Sequence, residues 1–318
     1  MSMNNRFCFI TNDVETTSIL HHELRDETGK IVLEQGMPRL LDLYDEFGIK
    51  ATFFYTGYIA NLYPEVVKMA HERGHEIASH GYSHKVKNAF DVLSEQKIRE
   101  HLFRSKNTLE QIIGEEVISF RAPALRVKKS ISLALLETGF LIDSSVASQR
   151  IDMFLSFGVK HKLNWFRAPR GIYFTKAEDI YSRGNSELLE IPVSSVLLPY
   201  IGTFMRISPL IMNLIRTSLN LESKITGRHI NFLTHPNEFI DETPIDSLNT
   251  TRRTKNYISY ILGDLLRHRL KVKNLGEKAI PLFRKELEYL NNKQYNFKRC
   301  KDVYETYKLK RNASERST

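Results

Sequence analysis

Short apolar runs alternate with longer stretches that repeat an apolar residue every three or four positions, and this alternation continues along most of the 318-residue chain. Residues 6–11, 51–55, 75–79, 117–121, 140–142, 188–193 and 230–234 read as buried strands. Residues 36–47, 64–73, 94–113, 130–138, 209–219, 254–269 and 277–292 read as helices. The first of these helices places Met37, Leu40, Leu41, Tyr44 and Phe47 at helical spacing and stops at Gly48. The second opens on Pro64 and closes on Gly74, the usual helix punctuation. Residues 16–35 and 146–187 read as loops, 295–299 as a last strand and 302–308 as a last helix. Repeated strand–helix units imply a parallel sheet, and seven or eight of them without a linker favour a closed barrel over an open sheet. The predicted class is therefore α/β, a distorted (β/α) barrel of seven or eight strands. It forms a single domain over residues 1–309, basic and helical from about 250, with a disordered tail over 310–318.

Composition adds bounds. The chain is 42% hydrophobic and 26% charged, with no apolar run long enough to span a membrane. Its start lacks the apolar core of a signal peptide. The two cysteines, Cys8 and Cys300, give no sign of a disulfide scaffold, so the expected location is the reducing cytoplasm. The net charge of +9 is unevenly placed: residues 250–318 hold 18 Lys+Arg against 7 Asp+Glu, or +11, and the rest of the chain is −2. That bias fits a peripheral anionic membrane surface or a phosphorylated substrate. A plain solvated face is the competing reading, and nucleic acid is not an expected partner.

The candidate chemistry gathers at strand ends. His80 and His84 stand four residues apart directly after the third strand, a spacing that lets both rings reach one metal ion. Asp13 and Glu15 follow the first strand, and two histidines with one carboxylate form a common catalytic zinc set. Arg121, Asp143 and His235 also fall at C-terminal strand ends, where barrels build their active sites. Singly, Arg121 reads as an ion pair, Asp143 as a cap and His235 as a loop histidine; their convergence is the stronger signal.

In that order the motifs resemble the polysaccharide deacetylase family, also called the NodB-homology or carbohydrate esterase 4 family. Thr11-Asn12-Asp13-Val14-Glu15 is similar to the family's acidic motif and His80-Gly81-Tyr82-Ser83-His84 to its metal motif. Arg121-Ala122-Pro123, Asp143-Ser144-Ser145 and Leu233-Thr234-His235-Pro236 are similar to the remaining three. The acids of the first motif are separated by one residue, a mark of the subgroup with a D-x-E motif. Gly81 stands where Ser or Thr is common. The resemblance implies a divalent metal, usually zinc, held by Glu15, His80 and His84 and used to remove N-acetyl groups from amino sugars. It implies Asp13 as general base, Arg121 orienting Asp13, His235 as general acid and Asp143 orienting His235. Leu233 would line the acetyl-methyl pocket beside Pro123. Trp165, with Phe166 and Tyr173, offers a sugar-stacking face or simply core.

Two other readings stand beside this one: a metal-dependent amidohydrolase of a small non-sugar amide, and a catalytically silent carbohydrate-binding barrel. The expected substrate is an N-acetylated amino sugar or glycan precursor met inside the cell.

Overall fold

The computed structural model describes residues 6–150, 165–243 and 266–316. Its strands are β1 (Phe7–Val14), β2 (Thr52–Tyr55), β3 (Glu76–Ser79), β4 (Ser119–Phe120), β5 (Ile142–Asp143), β6 (Tyr173–Lys176), β7 (Asp179–Arg183), β8 (Leu189–Glu190), β9 (Ser195–Val196), β10 (Leu198–Pro199), β11 (Ile230–Thr234) and β12 (Asn296–Phe297). The α-helices are α1 (Asp26–Ile31), α2 (Met37–Glu46), α3 (Gly57–Leu62), α4 (Glu65–Glu72), α5 (Glu95–Ile113), α6 (Ile131–Glu137), α7 (Gly202–Ile207), α8 (Pro209–Thr226), α9 (Leu266–Lys271), α10 (Ile280–Asn292) and α11 (Tyr304–Glu315).

Seven strands run parallel in the order β11-β1-β2-β3-β4-β5-β8, and the β6–β7 hairpin adds antiparallel to β8. This is the distorted (β/α) barrel that the strand–helix alternation predicts. The closed ladder expected from the pattern is not formed among the described residues, because β8 and β11 do not pair. Single bonds join the segment after β8 to β11: Ser194 N–H donates to the Asn231 carbonyl at 3.1 Å, and Asn231 Nδ2 donates to the Ile191 carbonyl at 3.2 Å.

The strands are buried on both faces, as a parallel sheet under helices requires. Alternation along β1 puts Phe9, Thr11 and Asp13 on one face. Phe9 joins Phe54, Ala78, Ile142 and Ile191 in an inner cluster, which Cys300, Val303 and Tyr304 join from the C-terminal segment. The larger outer cluster, with Tyr44, Phe53 and Phe283, lies between sheet and helices.

The pattern missed short elements. α1 and α3 are six residues each, too brief to show a helical period, and the β6–β7 hairpin falls in the stretch read as loop. The disordered tail expected from residue 310 is corrected, since α11 continues to Glu315. Arg311 holds it there, donating to the Ser186 carbonyl at 2.8 Å and lying over the Phe174 ring. The helix expected over 254–269 is described only from Leu266; residues 254–265 lie outside the described residues, as do Arg252 and Arg253 of the basic C-terminal part.

Candidate active site

Period two places Asp13 and Glu15 on the same side at the mouth of the barrel, and both are buried. β3 delivers His80, and the chain turns at Gly81 with φ of 69°. A Cβ on Gly81 would sit 2.8 Å from the Phe90 ring, so the Ser or Thr common at this position does not fit here. The turn brings His84 back toward Glu15.

One donor atom from each of Glu15, His80 and His84 lies within 4.8 Å of the other two. His80 Nδ1–H donates to the Arg121 carbonyl at 2.8 Å, which leaves its Nε2 for the cluster. His84 Nε2 stands 3.3 Å from Glu15 Oε2. That carboxylate oxygen is buried and has no hydrogen-bond partner, a costly arrangement that a cation would relieve. Two imidazoles and one orphaned carboxylate therefore fit a divalent metal of the zinc type.

Asp13 sits beside this cluster. Its Oδ1 accepts from Arg121 NH1 at 2.9 Å, and its Oδ2 lies 3.7 Å from His80 Nε2 and 3.9 Å from His235 Nε2. Burial by itself would raise the Asp13 pKa. His80, Arg121 and His235 outweigh it and hold the carboxyl below its ordinary value. Arg121 is fully buried and fixed by four acceptors: Asp13, Thr11 Oγ1 at 3.0 Å, the Ser144 carbonyl at 2.9 Å and Ser144 Oγ at 2.7 Å. The Phe54 ring lies 4.3 Å beneath its guanidinium.

Asp143 is not the partner of His235. It is wholly buried, accepts from Ser145 N–H at 3.0 Å and Ser145 Oγ at 2.7 Å, and pairs with Glu190. Burial and the neighbouring Asp143 carboxylate push Glu190 well above its ordinary value. The group that does meet His235 is Glu238, whose Oε1 accepts from His235 Nδ1–H at 3.1 Å. Residues 236–238 form one 3₁₀ turn, and this geometry brings the i and i+3 side chains together. Arg206 holds the other carboxylate oxygen at 2.8 Å and is itself tied to the carbonyls of Lys271 and Lys273, each at 2.8 Å. Gly202 leaves room for this chain of contacts: a Cβ there would lie 2.4 Å from Glu238 Oε2. Burial disfavours the His235 cation, but the Glu238 hydrogen bond and the charges of Asp13 and Glu238 win, and its pKa is raised. The sequence signal for Glu238 was the His-x-x-Glu spacing at 235 and 238.

Two clefts flank the cluster. One of about 240 Å³ is lined by Glu15, Ser18, His22, His235 and Glu238 among others. The other, about 120 Å³, meets Glu15 and His84 from the side of Asp26, Tyr58 and Lys85. The three substrate contacts expected from sequence line neither. Leu233 is buried beneath His235 in the outer apolar cluster. Pro123 is buried against Gly81 and shapes the metal loop. Trp165 is completely buried and so has no open face for a sugar; Tyr173 is likewise buried, whereas Phe166 is 40% exposed.

A distorted barrel whose mouth gathers a 2-His-1-carboxylate set next to an arginine-held aspartate is a metal-competent site of a recognisable kind. The family model described as polysaccharide deacetylase matches residues 26–142, which include His80, His84 and Arg121. Through that stretch the chain resembles the polysaccharide deacetylase family. The peptidoglycan deacetylase of Helicobacter pylori is 28% identical over 170 residues, 52% of this chain and 55% of that protein. A peptidoglycan deacetylase-like protein of Gibberella zeae is 31% identical over 121 residues, 37% of this chain and 35% of the other. The chain thus spans about half the length or less of these curated relatives. Among solved structures, a candidate polysaccharide deacetylase from Mycobacterium smegmatis aligns with a TM-score of 0.55 at 21% identity, covering 92% of this chain and 93% of that one. An allantoinase aligns at 0.59 with 16% identity, covering 96% and 91%. These structures share the fold.

Proposed function

We propose that the protein is a metal-dependent hydrolase that removes N-acetyl groups from amino sugars of a glycan or glycan precursor. The observation that carries the reading is the orphaned Glu15 Oε2 within the Glu15–His80–His84 cluster, beside a charged Asp13 and a protonatable His235. The names of the curated relatives support the sugar amide as the substrate class.

Glu15, His80 and His84 would hold the ion, which when bound polarises an amide carbonyl and acidifies a nearby water. Asp13, kept ionised by Arg121, accepts the proton of the attacking water. His235, kept protonated by Glu238, donates a proton to the departing amine nitrogen. The two catalytic atoms, Asp13 Oδ2 and His235 Nε2, face one another at 3.9 Å, so acid and base act on one centre. Arg121 and Glu238 position these two groups and transfer no proton themselves.

Acetate release from N-acetylglucosamine oligomers is the direct test. Asp13→Asn and His235→Ala are each expected to lower turnover by about 10²–10⁴-fold with metal content unchanged. Near wild-type release by either variant would remove the assigned roles. Comparing oligomers with nucleotide- or lipid-linked N-acetyl sugars then separates polymer from precursor. Turnover of a non-sugar amide alone would overturn the substrate class.

A further inference from the structure

α8 is apolar on two faces. Met212, Ile215 and Leu219 turn inward to the core, as a barrel helix requires. Leu210, Leu214, Leu221 and Ile225 turn outward and are between 59% and 75% exposed. At 100° per residue these four fall within an arc of about 60°, a continuous stripe along a helix about 27 Å long. Exposed apolar residues scattered singly need no explanation, but four in register on one helix mark a contact surface. Lys224 is the one charged residue among the exposed positions of this helix.

The spacing of the stripe names its partner. The intervals 4, 7 and 4 read the same in both directions, centred between Thr217 and Ser218. Reversing the helix about that centre sets Leu210 against Ile225 and Leu214 against Leu221, with Thr217 opposite Ser218 at the crossing. A self-complementary patch is what a two-fold contact between identical chains needs. Small residues at the crossing let the backbones approach. The antiparallel sense also separates Lys224 from its own copy and opposes the two helix dipoles; a parallel pairing would do neither.

We infer that the outward face of α8 is a homodimer interface, in which two copies of the chain pack antiparallel across a two-fold axis at Thr217 and Ser218. The inference is independent of the reaction proposed above, since α8 contributes no residue to either active-site cleft. One helix stripe offers less than the ~800 Å² per partner of a standard interface, which puts the contact in the weak, transient class. Its register makes it testable by charge exchange.

Sedimentation of the full chain up to about 100 µM should show a monomer–dimer equilibrium. Leu214→Glu with Leu221→Glu should weaken it by on the order of 100-fold or more, with the melting profile and metal content preserved. Leu214→Lys with Leu221→Glu should restore association, because only the antiparallel register brings the introduced lysine of one copy to the introduced glutamate of the other. A monomeric wild type, a dimer indifferent to the double-Glu change, or no recovery by the Lys/Glu pair would each overturn the inference. A wild type that stays monomeric but binds neutral lipid vesicles through the same leucines would reassign the face to a membrane surface.

Discussion

Glu238→Gln is the sharpest test of the site because it changes one charge and almost no volume. In the native protein Glu238 accepts from His235 Nδ1–H at 3.1 Å and from Arg206 Nε at 2.8 Å, and all but 1% of its surface is buried. Burial on its own would make the His235 cation less stable; the hydrogen bond from Glu238 is the first influence opposing it, followed by the charge of Asp13. A charge-assisted hydrogen bond of this kind contributes about 1.5–3 kcal/mol, and one pKa unit corresponds to about 1.4 kcal/mol. With a quarter of the His235 side chain reached by solvent, the lower end applies, and the His235 pKa should fall. The sign follows from the role. A general acid works only when protonated, so its raised pKa extends activity toward alkaline pH, and lowering it pulls the alkaline limb back. The kcat/KM profile for acetate release, measured from about pH 5 to about pH 9, should lose its alkaline limb at lower pH in the variant than in the native protein. Metal content should not change, because Glu238 is not a ligand. A profile that keeps its alkaline limb, whatever its height, refutes the link between Glu238 and the acid.

Three further outcomes are expected. His80→Ala should purify with its metal lost, and chelation of the wild type should lower its melting temperature, a ligand at about 100 times its Kd contributing about 2.7 kcal/mol; equal metal in wild type and variant would remove the assignment of His80 as a ligand. Arg121→Lys should cost about 3–5 kcal/mol in chemical denaturation, because a lysine cannot satisfy four acceptors in a fully buried slot, and a variant as stable as wild type contradicts the network around Asp13. Glu190→Gln tests the raised Glu190 pKa: a carboxyl whose folded pKa is raised stabilises below its unfolded value and loses that contribution as pH rises. The variant should therefore melt like wild type near pH 5 and above it near pH 8, and a difference of the opposite sign rejects the pairing.

The parts of the site that alternate with the fold's own period were legible in the chain. Asp13 and Glu15 at the end of β1, His80 after β3, Arg121 after β4 and His235 after β11 are placed by strand ends, and strand ends follow from apolar runs. Partner assignments were less legible, because they depend on which strand neighbours which. Asp143 was expected to orient His235, yet the sheet order puts β5 beside β8, with Asp143 opposite Glu190 in the register, and the two carboxyls occupy one another. β11 lies across the seam, where the His-x-x-Glu turn brings Glu238 to the His235 ring. Trp165 shows the same limit from the apolar side: a large aromatic in a loop-like stretch carries no mark of whether it turns outward to a sugar or inward to the core.

The position of Glu238 also explains why the sheet tolerates an open seam. Each end of the site hangs on a buried ion pair anchored to a different part of the chain. Asp13 is held through Arg121 by Ser144 at the end of β5. His235 is held through Glu238 and Arg206 by the Lys271 and Lys273 carbonyls at the end of α9. Asn231 joins the two halves, donating to Ser144 Oγ at 3.2 Å and accepting from Thr11 Oγ1 at 3.0 Å. Hydrogen-bonded charges inside a low-dielectric interior are directional and costly to misplace, so they fix Asp13 and His235 where the described residues form no continuous ladder. The 3.9 Å between Asp13 and His235 is thus set by side chains that bridge β1, β5 and β11, and by the C-terminal segment that caps Arg206.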